Sequence, residues 1–255
     1  MMTENRSPKF RVHLAINIDE IRQAQRLRYE VFVRELGGSG TLVDHAQGLE
    51  QDHFDPHCDH LLLTDQSRDA VVGVYRLMRR EQAEAAGEFY SAQEYDLDPL
   101  LASDKRLLEL GRSCLHRDYR GGTAMFHLWS GLADYVAGHQ IDVLFGVASF
   151  HGTDPSKLAA PLSLLHQRHL APPEMRVRAR ADAYQRMDLV DEASLDRRAA
   201  MREVPSLIKA YLRLGGFVGE GAFIDHAFNT TDVCLILDTA QMNQRQARIY
   251  QGGKT

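Results

Sequence analysis

The sequence predicts an α/β fold in which a central mixed, twisted sheet is flanked by helices and carries an extra helical and basic insertion. Three observations predict it. Residues 107–115, LLELGRSCL, form an apolar run bounded by polar segments, as a buried strand requires. A glycine-containing turn follows, then a stretch where Met125, Trp129, Leu132 and Val136 recur at helical spacing, and residues 141–150 form a second apolar run. Strand, helix and strand in that order make a βαβ unit, so these two strands are expected to be parallel. Residues 60–64 and 70–78 read as two strands joined by the polar turn DQSRD, an antiparallel hairpin, which makes the sheet mixed. The 255 residues read as one domain, 1–255, with an insertion at about 152–204.

Taken in order, the first 16 residues are polar with a short apolar patch and predict a loose start or an edge strand. Asn17 or Asp19 caps a helix whose turns are marked by Ile21, Ala24, Leu27 or Arg28, Val31 and Glu35, and Gly37 and Gly38 end it. Arg28 falls on or near that apolar stripe, where burial requires an anion. Phe32 by itself reads as core. Residues 38–58 are glycine-containing and acidic, a mobile acidic lid or, with His53, His57, Cys58 and His60 close together, a metal site. Paired ligand spacing is missing, so no metal is expected. In the hairpin, Arg76 shares a face with Val72 and Val74, either as an edge-strand arginine or as a ligand. Residues 79–105 are charged and alanine-rich, with one short helix at most.

Beyond the second apolar run, Thr153 or Asp154 with Pro155 opens a helix buried through Leu158, Leu162 and Leu165. MRVRAR at 175–180 alternates Met175, Val177 and Ala179 with Arg176, Arg178 and Arg180. A solvated strand face is the default reading, and with Arg168 and Arg186 it is also the best candidate for docking an acidic protein or anionic lipid. Residues 188–203 predict a charged helix. Pro205 starts another with Leu207, Ile208, Tyr211 and Leu212, closed by Gly215 and Gly216. Strands near 217–224 and 232–238 flank DHAFNTTD, whose Asp225, Asn229 and Asp232 are turn formers or ligands for ammonium groups.

The chemistry gathers in 107–136. The turn HRDYRGG places Arg117, Arg120, Gly121 and Gly122 ahead of a helix N-terminus, where unpaired N–H groups and the helix dipole hold anions and arginine adds geometry. Glu109 and Arg112 stand in an otherwise apolar strand. Positions three apart face opposite sides, so the two cooperate only if the strand is bulged, and Gly111 between them is a natural place for that. A structural ion pair is the plainer alternative.

The strand, the R-D-Y-R-G-G turn and the helix resemble the acyl-donor motif of the GNAT acyltransferase superfamily. With RLRYEVFVRELGG, DHFDPHCDHLLL, VVGVYRLMR and PSLIKAYLRLGGFVGEGAFIDHAFNTTDVCLILD, nearly the whole chain from about Arg28 to about Asp238 resembles the L-ornithine N-acyltransferases of bacterial ornithine-lipid synthesis and their glutamine-lipid relatives. The resemblance implies a GNAT-like fold and transfer of a 3-hydroxyacyl group from acyl carrier protein to the α-amino group of ornithine, with no cofactor beyond that donor. It implies that Ser113, Arg117, Tyr119, Arg120, Gly121 and Gly122 hold the donor's phosphopantetheine, and that Glu109 is the base. Arg112 then pairs with Glu109 or orients the acceptor carboxylate, backbone N–H groups from Gly111 to Ser113 steady the oxyanion, and Tyr211 or solvent protonates the thiolate. Arg28, Phe32, Asp52, Asp55, Arg76, Asp225, Asn229 and Asp232 would line the amino-acid site.

Composition narrows the alternatives. A formal charge of −5 argues against general nucleic-acid binding. Three widely spaced cysteines read as a reducing cytoplasm, and no apolar run reaches the roughly 18 residues of a spanning helix, so a soluble or peripheral protein is expected. Neither Ser113 nor Ser149 sits in a nucleophile elbow, which weighs against a hydrolase triad. The open rivals are a glutamine-lipid synthase, an acyl-homoserine-lactone synthase and, outside enzymes, a module binding carrier protein or membrane.

Overall fold

The structure is a computed structural model and describes residues 7–39 and 43–242. In chain order the elements are β1 (Phe10–Leu14), α1 (Ile18–Arg28), a π-helical turn (Tyr29–Glu35), β2 (Val43–Asp44), β3 (Leu49–Glu50), β4 (Asp59–Asp65), β5 (Ala70–Arg79), α2 (Arg80–Ala86), β6 (Tyr95–Asp96), α3 (Asp98–Leu101), β7 (Leu107–Leu115), α4 (Ala124–Gly138), β8 (Val143–His151), α5 (Ala159–His169), β9 (Arg178–Ala179), β10 (Tyr184–Gln185), α6 (Arg197–Glu203), α7 (Ser206–Arg213), β11 (Phe217–Val218), β12 (Ala222–Asp225) and β13 (Thr230–Asp238). They gather into two compact units. The first takes the described residues up to 77 and Gly111–His139; the second takes Met78–Leu110 and the described residues from 140 onward.

In the first unit β1 is the expected edge strand, antiparallel to β4 from Phe10↔Asp65 to Leu14↔Leu61, and β4 and β5 form the expected hairpin with a bulge at Leu63/Thr64. The Asn17 carboxamide accepts from the Glu20 N–H at 2.9 Å and starts α1, and Gly37, at φ +76, follows its end. Between these signals the helix is not uniform: from Tyr29 it widens into π-helical geometry. Ala24, Leu27 and Val31 pack with Leu62, Val74 and Cys114, and Phe32 joins that cluster as core. The buried face of α4 is Ala124, Leu128, Trp129, Leu132 and Tyr135. Trp129 and Leu132 are as expected, but Met125 and Val136 are only partly buried because the apolar stripe lies one residue round the helix.

In the second unit β7 runs parallel to β8, as the βαβ reading requires, and β8 pairs antiparallel with β13 over its whole length. The parallel pairing covers only Leu107↔Val143 to Glu109↔Phe145. Gly146 marks where it stops, since a Cβ there would stand 2.1 Å from the Leu110 carbonyl oxygen. The segment 79–105 is more ordered than its composition suggested, holding α2, a 3-10 turn at Tyr90–Gln93, β6 and α3. The α5 helix starts at Ala159, because the Asp154 carboxylate is spent on a turn with the Ser156 N–H and hydroxyl. The charged helix expected at 188–203 is confined to Arg197–Glu203, capped by Asp196.

Cys114 and Cys234 are buried, Cys58 is half-buried, and none is in a disulfide. No helix among the described residues is long and apolar enough to cross a membrane.

Candidate active site

Three arginines come together with three carboxylates inside the first unit. Arg28 ends α1 on its buried face, Arg76 lies in β5, and Arg112 lies in β7. Glu50 ends β3, and Asp52 and Asp55 belong to the loop after it. Arg28 Nε pairs with Glu50, and its Nη1 donates to Asp55 at 2.8 Å. Arg76 Nη1 donates to Asp52 at 2.5 Å and to Asp55 at 2.9 Å, while Arg112 reaches Glu50 at 3.1 Å and Asp52 at 3.3 Å. Gln25 adds a 2.8 Å bond to Asp55, and His60 donates its Nε2–H to the Asp55 carbonyl. Arg28 and Glu50 are fully buried.

Three positive and three negative charges cancel, which is what permits the group to be dry. Burial alone would push all three carboxyls up. Arg112 and Arg28 outweigh it at Glu50, Arg76 and Arg112 at Asp52, and Arg28 and Arg76 at Asp55, so each is held below the usual carboxylate range. Burial lowers His60 and keeps it neutral.

These contacts revise several expectations. Asp52 and Asp55 do not belong to a solvated acidic lid, because both are buried and each pairs with two guanidiniums. Arg76 is no edge-strand residue. Arg28 is buried with the anions its position demanded. The break in β7 falls on Arg112, whose φ is +50, one residue after Gly111. A left-handed non-glycine residue costs about 1–2 kcal/mol, and the ion pairs to Glu50 and Asp52 offset that cost.

The turn after β7 is tied to the same unit. The Tyr119 hydroxyl donates to Asp65 at 2.9 Å, and Asp65 also accepts from Lys9 N, Ser67 N and Ser67 Oγ. Arg120 donates Nε and Nη2 to the Leu115 carbonyl at 3.1 and 3.0 Å and forms a two-point pair with Glu35. Arg117 is exposed, Ser113 half-buried, and Gly121, at φ +77, and Gly122 both look onto open space. α4 begins just beyond, at Ala124.

The second unit holds the other predicted groups. Glu109 is buried, and its two oxygens accept from the Tyr90 N–H at 2.8 Å and the Ser91 N–H at 2.6 Å. Tyr211 is buried in α7. Asp225 accepts from Ala227 N and Phe228 N and so forms the turn, with Asn229 in left-handed conformation at φ +54. Yet ligand atoms of Glu94, Asp225 and buried Asp232 all lie within 4.8 Å of one another. Among the described residues this trio, and not His53, His57, Cys58 and His60 of the first unit, has ligand atoms close enough together that they could hold a cation.

Glu50, Glu94 and Glu35 were missed. Glu50 and Glu94 lie in segments whose many acids mask them; an alternation of Leu49 with Glu50 gives no warning of full burial. The arginines of 175–180 are exposed or partly so, as their alternation implies, but Arg178 pairs with Glu220 and Arg176 with the Ala171 carbonyl.

Comparisons with known proteins agree with this architecture. A family model described as an acetyltransferase (GNAT) domain matches residues 27–130. The chain is 58% identical over 246 residues to an L-ornithine N(alpha)-acyltransferase of Rhodobacter capsulatus, covering 94% of each chain. It is 44% identical to one of Brucella abortus, covering 94% of this chain and 88% of that one. Among solved structures, BjaI, a CoA-dependent acyl-homoserine lactone synthase, matches with a TM-score of 0.53 at 17% identity, over 96% of this chain and 88% of its own, a likeness of fold.

Proposed function

The chain belongs to the L-ornithine N(alpha)-acyltransferase family and is an acyltransferase of GNAT-like fold, and on that premise we propose that it moves a 3-hydroxyacyl group from acyl carrier protein to the α-amino group of L-ornithine. The products are a lyso-ornithine lipid and free carrier protein. The observation that supports the mechanism is Glu109, a buried carboxylate aimed by the backbone N–H groups of Tyr90 and Ser91.

An amine attacks only when neutral, and an α-amino group of pKa about 8 is mostly protonated at neutral pH. Glu109 takes that proton, directly or through water. The nitrogen then adds to the thioester carbonyl, and the N–H groups from Gly111 to Ser113, beside the left-handed Arg112, steady the oxyanion. The C–S bond breaks as the amide forms, and Tyr211 or solvent returns a proton to sulfur. Arg117, Tyr119, Arg120, Gly121 and Gly122 hold the phosphate of the pantetheine arm at the start of α4. Arg28, Arg76, Arg112, Asp52 and Asp55 serve as an ionic framework of the first unit, and Phe32 belongs to that unit's apolar core.

The Glu94, Asp225 and Asp232 carboxylates suit the δ-ammonium of ornithine, and this favours ornithine over glutamine, whose side chain is neutral. Asn229 shapes the turn that carries Asp225. The test is product analysis by mass spectrometry with 3-hydroxyacyl-carrier protein and either amino acid. Acylated ornithine that vanishes in Glu109→Gln supports the proposal. Acylated glutamine alone would move the chain to the sister activity, and a matching acyl-coenzyme A that served better than the carrier would reassign the donor.

A further inference from the structure

The carboxylate of Glu35 stands where the turn's cationic groups converge. It takes two N–H groups of Arg120, and it is held below the usual carboxylate range by its bond to Arg120, with further contributions from Arg117 and His116. Arg120 does not depend on it for position. Its Nε and Nη2 also grip the Leu115 carbonyl, so the guanidinium stays in place when the carboxylate leaves. Glu35 is free to leave, as it is the last residue of the π-helical turn and its side chain is 33% exposed.

We propose that Glu35 is an internal counter-anion of the donor subsite: its carboxylate occupies the place on Arg120 that the donor's phosphate takes, and the phosphate displaces it on binding. This rests on the donor reading given above. Glu35 is thus a selectivity residue. It keeps small anions off the turn, and it returns to Arg120 as the spent carrier departs, since that product bears the same phosphate as the donor.

The experiment titrates pantetheine 4′-phosphate and pantetheine into the full chain, wild type, Glu35→Gln, Arg120→Gln and the double variant, by calorimetry. An exposed two-point ion pair biases the free state modestly, so Glu35→Gln should tighten pantetheine 4′-phosphate about fivefold and leave pantetheine unmoved. The KM for acyl-carrier should fall by the same factor while the KM for ornithine holds. Arg120→Gln should weaken the phosphate and abolish the gain in the double variant. Equal or weaker phosphate binding in Glu35→Gln overturns the proposal, as does a parallel loss for both ligands, which marks a merely structural pair. Binding is read without turnover. A chain that fails to acylate ornithine yet shows the fivefold gain keeps the inference and loses the function; turnover with unmoved donor affinity does the reverse.

Discussion

Glutamine at position 109 retains an oxygen for one of the two backbone N–H groups and presents its own NH2 to the other, while losing the capacity to take a proton. Glu109→Gln should lower kcat by about 10²–10⁴-fold, with a stability change of about 1–3 kcal/mol for the mismatched N–H, separable by kinetics and thermal melts. Asp232→Asn or Glu94→Gln should raise the KM for ornithine about tenfold, with little change for glutamine in a competition assay. A different scale of effect is expected at Arg28. Arg28→Met leaves three buried carboxylates facing only the two guanidiniums of Arg76 and Arg112, one uncompensated negative charge, which costs about 3–5 kcal/mol and should lower Tm by about 10 °C or more. Arg28 was legible because an arginine on an apolar stripe demands an anion. Its partner Glu50 was not, because nothing local distinguishes a two-residue strand's buried acid from the solvated acids around it.

At the scale of elements, strands and caps were the readable part. The bounds of β7, the β4–β5 hairpin, the Asn17 cap and the closing glycines follow from apolar runs and turn chemistry. Geometry that depends on long-range contact was not readable: the π-helical turn, the left-handed Arg112 secured by residues some 60 positions away, and the 3-10 turn that delivers the Tyr90 and Ser91 N–H groups to Glu109. Gly146 shows how little room the second unit leaves. A methyl group there meets backbone on β7, so Gly146→Ala should cost about 1–3 kcal/mol, seen as a lower midpoint in urea, with loss of activity as the Leu110 carbonyl shifts.

For the whole molecule, the buried charges set the pH response. Glu50, Asp52 and Asp55 have folded-state pKa values below their unfolded ones, so their stabilisation is complete above the unfolded carboxylate range, about 4, and drains as pH falls through the lowered values. His60 is also lowered, and its contribution begins to fade below its unfolded value, about 6.5, because the unfolded imidazole takes a proton that the buried one refuses. Unfolding free energies from urea titrations should therefore hold steady from about pH 7 to 8, sag slightly below 6.5 and fall steeply below 4. His169 is lowered by burial too, so a His60→Gln variant should shrink the first step and keep the second.

The cysteines lend themselves to a practical use. Burial pushes the Cys114 thiol up to about 12, and Cys234 is buried and raised as well, so neither offers thiolate to a reagent near neutral pH. Cys58, half-buried and close enough to influence Arg76 electrostatically, is left as the labelling position of the native chain. A maleimide dye should add in one equivalent without any engineered cysteine, placing a fluorophore beside the buried arginines, where its emission would report on events at their carboxylate partners in real time.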